Sequence, residues 1–106
     1  MMSELLGQQQ LELGRLLALT DLMSENARNG KWEVVIEIQP QRDRLIAEFF
    51  SGVLSIEENV LRESIRHILD ADQAIMALGN EHRNSLKHEI KKMSQGKSAV
   101  KAYLSS

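Results

Sequence analysis

Cysteine is absent from this chain of 106 residues. Disulfides, thiolate catalysis and cysteine-based zinc sites are therefore excluded. Proline occurs once, at Pro40, and the six glycines are scattered, so there is no low-complexity linker. Aromatic residues are confined to Trp32, Phe49, Phe50 and Tyr103. Leu, Ile, Val and Met must therefore fill the core. No apolar run approaches the roughly 20 residues needed to cross a bilayer. The first residues, Met1-Met2-Ser3-Glu4, lack the basic region and long apolar run of a signal peptide. The expectation is a soluble cytoplasmic protein, without membrane insertion, forming a single domain over residues 1–106.

What the chain does have is helical periodicity. The longest pattern runs from Ser55 to Gln95, with Gly79 as its one interruption. Ser55-Ile56-Glu57-Glu58 reads as a capping box opening that helix. Gly96 is the residue type favoured just past a helix end. About 40 residues at 1.5 Å each would span roughly 60 Å. A domain of this size has a radius of gyration near 13 Å, so such a helix would outrun its neighbours.

Two shorter segments precede it. From about Ser3 to Arg28, Leu6, Leu13, Leu16, Leu17, Met23 and Ala27 mark one helical stripe, with Thr20 inside it. Ser3 is the expected N-cap, and Asn29-Gly30 the expected stop. From Trp32 to Phe49 the pattern is ambiguous. Trp32, Val34, Ile36 and Ile38 alternate like a strand, whereas Trp32, Val35, Ile36, Ile46 and Phe49 form a helical stripe. A lone strand would have no partner and an unpaired edge, so helix is the expectation, bent or restarted near Pro40. The fold class that results is all-α: an antiparallel three-helix bundle with a long third helix and a short C-terminal helical tail from Ser98 to Leu104.

Within the third segment Leu61, Ile65, Ile68, Ile75, Leu86, Ile90 and Met93 repeat at steps of three and four, like a coiled-coil seam. Leu69 and Met76 form a second row beside it. Asp72, Gly79 and His82 fall in the seam itself. An unpaired buried carboxylate costs several kcal/mol, so Asp72 should meet water or a base such as Arg42. Gly79 should mark a close approach or a bend. From Arg83 onward six bases face a single acid, Glu89. That end is either a solvated helix terminus or a docking face for an acidic partner or nucleic acid.

No catalytic constellation is present. There is no glycine-rich phosphate loop and no nucleophile elbow. His67 lies one turn from Glu63, but a di-iron bundle would need Glu-x-x-His spacing and ligands from a second helix. A surface Glu–His pair is the expectation, with no metal, no cofactor and no enzymatic activity.

Gly30-Lys31-Trp32-Glu33 opening the second helix, Arg42 about ten residues on, Leu69-Asp70-Ala71-Asp72-Gln73 in the long helix, and Ala102-Tyr103 near the end occur in a telling order. Over about residues 10 to 104 the chain resembles the FliT-like flagellar export chaperones. The resemblance implies a small all-α cytoplasmic protein that holds the C-terminal region of the filament-cap protein before type III export. It also implies links to the export ATPase and export gate. In enteric members it implies restraint of the flagellar transcriptional activator, without direct nucleic-acid contact. By the match around Leu69-Asp70, Ile65, Leu69 and Met76 fall on the partner-binding stretch of the long helix, and Tyr103 aligns with a tyrosine that bears on partner binding. Some members continue past the Ala-Tyr motif into a helix that covers the binding surface; no such helix is expected from the residues here. The competing expectation from the seam alone is a coiled-coil homodimer.

Overall fold

The computed structural model describes residues 2–105. Those residues form three helices: α1 Met2–Arg28, α2 Trp32–Phe49 and α3 Glu58–Ser105. The chain divides into two units, residues 1–76 and 77–106. The first unit is an all-α bundle. Leu13 and Leu16 of α1, Phe49 of α2 and Ile56 of the α2–α3 connection form its core, with Leu45 and Ile46 of α2 and Leu61 of α3 packed against them. Arg42 reaches Thr20 and Asp72, and His67 reaches Asp21. These pairings run α2 antiparallel to α1 and α3, as expected of the bundle. The second unit is the continuation of α3, and its side chains from residue 80 to 105 are all exposed.

The α1–α2 turn follows from one residue. Gly30 has φ +71°, the left-handed region where a side chain would strain the backbone. Its N–H donates to the Ala27 carbonyl, and the Lys31 N–H donates to the Asn26 carbonyl at 2.8 Å. Together these satisfy the last carbonyls of α1 in a Schellman motif.

Several local expectations are corrected. Ser3 does not cap α1, because the helix already includes Met2. Pro40 does not restart α2, which runs unbroken from Trp32 to Phe49. Pro40 is exposed, and the carbonyl that loses its partner belongs to exposed Ile36, so water can serve it. The Ser55 capping box does not form. Ile56 is buried beside Leu13 and Phe49, and the backbone before it stays out of the helix. The Gln9 side-chain amide serves that stretch instead. It donates to the Val53 carbonyl at 3.0 Å and accepts from the Ser55 N–H at 2.7 Å. The first helical bond of α3 runs from the Leu61 N–H to the Glu57 carbonyl, which makes Glu57 the N-cap. Gly96 does not end α3 and the tail is not a separate helix, since the helix continues to Ser105. Gly79 does not interrupt it either. An interior glycine costs only about 1 kcal/mol, which the long flanking helical runs can absorb.

Arg42 ties the bundle together. It is only 3% exposed. Its Nη1 donates to Asp72 Oδ1 at 2.6 Å and Thr20 Oγ1 at 3.4 Å; Nη2 donates to Asp72 Oδ2 at 3.0 Å and Asp43 Oδ1 at 2.8 Å; Nε donates to Asp43 Oδ1 at 3.2 Å. A guanidinium has five N–H groups, and each has an acceptor. Burial alone would lower its pKa. The hydrogen bonds and charges of Asp72 and Asp43 outweigh that, and the net shift is upward. Asp72 thus meets Arg42, the base anticipated for it. Thr20, fully buried, donates its own hydroxyl hydrogen bond to the Leu16 carbonyl at 2.9 Å, leaving its oxygen to accept from Arg42.

Truncating Arg42→Ala strands Asp72 and Thr20 and should cost about 3–5 kcal/mol of unfolding free energy. Arg42→Lys, which keeps the charge but loses the fork, should still cost about 1.5–3 kcal/mol. The pair variant Arg42→Met/Asp72→Leu should be more stable than the sum of its parts. Urea titration of wild type, Arg42→Met, Asp72→Leu and the pair variant decides the matter, and additive losses would show that the two residues do not act as a unit.

Candidate functional site

Successive residues of a helix turn by about 100°. On α3 of the first unit, Leu61, Ser64 and Ile68 therefore point one way, and all are buried or half-buried. Ile65, Leu69, Asp72 and Met76 share a stripe on one flank of that inward face. Asp72 is held by Arg42 of α2, so this is the flank toward α2. Val60 and His67 occupy the opposite flank, toward α1, where His67 Nε2 lies 2.7 Å from Asp21 Oδ1.

The α2-side stripe carries three of the residues singled out by the sequence. Ile65 is 40% exposed, Leu69 57% and Met76 67%. They fall within an arc of about 40° on the helix, so one amphipathic ligand would meet all three. Only Asp72 among them is polar, and its charge is already paired. Tyr103 lies in the second unit, in an exposed run with Val100 and Leu104. The geometry of the stripe offers apolar contact and no chemistry. Among the described residues no group of His, Cys, Asp and Glu is arranged to hold a metal. His67 pairs across helices with Asp21 rather than along its own helix with Glu63, a contact one-helix spacing cannot reveal.

One feature escaped sequence reasoning altogether. Leu6, Leu13, Gly14 and Leu17 of α1, with Ile56 and Val60, line a groove of about 560 Å³ on the α1 side of α3. The residues of the Ile65–Met76 stripe are not among its lining. A signal was available in Gly14, which interrupts a leucine-rich stripe at a groove-facing position. A Cβ placed there would meet nothing within 4 Å. No described helix is long and apolar enough to cross a membrane.

Exposed Ile65, Leu69 and Met76 should tolerate change. Met76→Asp and Ile65→Asp should shift the unfolding free energy by less than about 0.5–1 kcal/mol. Ile68→Ala, buried three residues from Ile65, should cost about 2–5 kcal/mol. Thermal melts followed by circular dichroism read both, and a large loss at Met76 would place it in the core.

A family model described as "Flagellar protein FliT" matches residues 11–105. No curated protein and no solved structure matches the chain.

Proposed function

Because the chain belongs to the FliT flagellar protein family, we propose that it holds the C-terminal region of the filament-cap protein before type III export. The coarser role follows from membership: the family is one of flagellar export chaperones, not of enzymes. The finer role rests on one observation, the exposed apolar stripe of Ile65, Leu69 and Met76 on a single flank of α3.

An export chaperone must cover an amphipathic segment of its client and later release it. A helix laid on an apolar stripe does both, because affinity comes from a few buried side chains and no covalent or metal bond has to break. Burying a side chain such as Met76 contributes about 1.5–3 kcal/mol. Three partly exposed residues therefore suffice for specific but reversible capture. Tyr103 adds an aromatic contact with a polar end, suited to a partner surface that is part apolar and part wet. The same reading places the protein in the cytoplasm, with the export ATPase, the export gate and the flagellar transcriptional activator as its further partners.

Binding of a filament-cap C-terminal fragment to wild type, Ile65→Asp and Met76→Asp tests the surface. Each substitution should weaken binding at least about tenfold, the equivalent of 1.4 kcal/mol, while the melts stay unchanged. Undiminished binding by both folded variants would remove this stripe as the client site.

A further inference from the structure

We propose that the groove between α1 and α3 is a second docking site, shaped for a short basic amphipathic helix of a partner protein. The site is separate from the client stripe, which lies on the other flank of α3, and does not depend on it. With two flanks, one chain can hold a client and dock on a further protein at the same time.

The groove has the shape of a missing helix. Among the described residues no Cα of α1 comes within 8 Å of a Cα of α3, although α1 and α2 do approach that closely. Side chains fill the space between α1 and α3 only in part. Leu13 and Ile56 are buried in its floor, Leu6 and Leu17 are half-buried, and Val60 is exposed. From Leu6 to Leu17 the α1 wall runs three turns, about 16 Å. One turn further on, His67 Nε2 lies 2.7 Å from Asp21 Oδ1, which bridges the two helices and closes that end. Gly14 leaves a notch in the wall, where a Cβ would meet nothing within 4 Å. Two helices set apart around an apolar trough suit the helix-in-groove mode, in which a further helix lays its apolar residues between them. A fourth helix there completes a four-helix packing.

Charge selects the occupant. Glu57 lines the groove. At about 100° per residue, Glu63 and Asp70 follow on the Val60 side of α3. All three acids are exposed. The bases turn away. Arg15 is the only Lys or Arg in residues 1–27, and it faces α2, where it lines a smaller groove with Glu12 and Glu48. Arg62 and Arg66 lie about 160° from buried Ser64, on the outer side of α3, and Arg62 donates to Glu58 at 2.9 Å. No Lys or Arg lines the α1–α3 groove. An apolar trough rimmed by acids alone repels an acidic helix and draws a basic one, through association rate and specificity.

Fluorescence anisotropy with the full chain tests this. The probe is a stapled synthetic helix of about 14 residues, with Leu along one face and Lys on both flanks. It should bind, with a dissociation constant that rises at least about threefold between about 0.05 M and 0.5 M salt. Gly14→Leu, which fills the notch, should weaken binding at least about tenfold. Glu57→Gln/Glu63→Gln should weaken it about threefold and flatten the salt dependence; this pair variant decides the matter if Gly14→Leu does not melt like wild type. Met76→Asp, on the client stripe, should leave binding unchanged. A groove that refuses the probe, whether empty or filled by another copy of the chain, overturns the proposal. So does equal binding of the same helix with Glu in place of Lys, or of a shuffled peptide of the same composition. Binding lost in Met76→Asp but kept in Gly14→Leu would put the probe on the client stripe and overturn it as well.

Discussion

The first unit of this protein is organised around one buried guanidinium. Arg42 stands on α2, its hydroxyl acceptor Thr20 on α1, and its main carboxylate partner Asp72 on α3. An arginine this deep is tolerable only if all its donors are met, and here all five are. The apolar contacts around it are permissive by comparison. Leu13, Leu16, Phe49 and Ile56 would pack nearly as well against a helix shifted along its axis, because hydrophobic attraction has no direction. The ion pair is not permissive. Sliding α3 by one turn would put Ile68 or Met76 opposite Arg42 and leave a buried charge without its partner, at a cost of several kcal/mol. With few aromatic residues to give the core a distinctive shape, register falls to this polar contact.

That register decides what the surface presents. Asp72 faces α2 because Arg42 holds it, and residues one turn before and after it on the same stripe are then placed on the same flank. Leu69 and Met76 are exposed for this reason, not because the core ran out of room. The inward positions of α3 are taken by Leu61, Ser64 and Ile68. The stripe and the core therefore belong to one geometric solution, and a substitution at Arg42 would disturb both.

Helix content and sequence order were legible because periodicity is a local property of the chain. The first stripe was right almost residue by residue: Leu13, Leu16, Thr20, Met23 and Ala27 are all buried. The Arg42–Asp72 contact was legible too, since a carboxylate in an apolar seam demands a base. Helix ends were less so, because they depend on distant partners. Ser55 has the composition of a cap, but its backbone N–H is claimed by Gln9, 46 residues earlier. Gly96 has the composition of a stop, yet the helix runs through it to Ser105. The Asp21–His67 pair and the α1–α3 groove were hidden for the same reason. Each is assembled from two segments whose facing is set only by the folded register.

The position of Asp72 within the exposed stripe also bears on how a client would bind. Covering Leu69 and Met76 removes Asp72 from water as well. An isolated carboxylate there would resist burial, and the stripe would bind poorly at its centre. Arg42 has already taken both carboxylate oxygens in a bidentate contact, so much of the desolvation cost is borne in folding rather than in binding. The remaining exposed edge of Asp72 still prefers a polar neighbour. A client helix with an apolar residue against Leu69, another against Met76 and a hydrogen-bond donor between them would satisfy the whole stripe, whereas a uniformly apolar one would not. The same ion pair that sets the bundle's register would then also discriminate between clients, which needs a charge that is buried, partnered and still within reach of the surface.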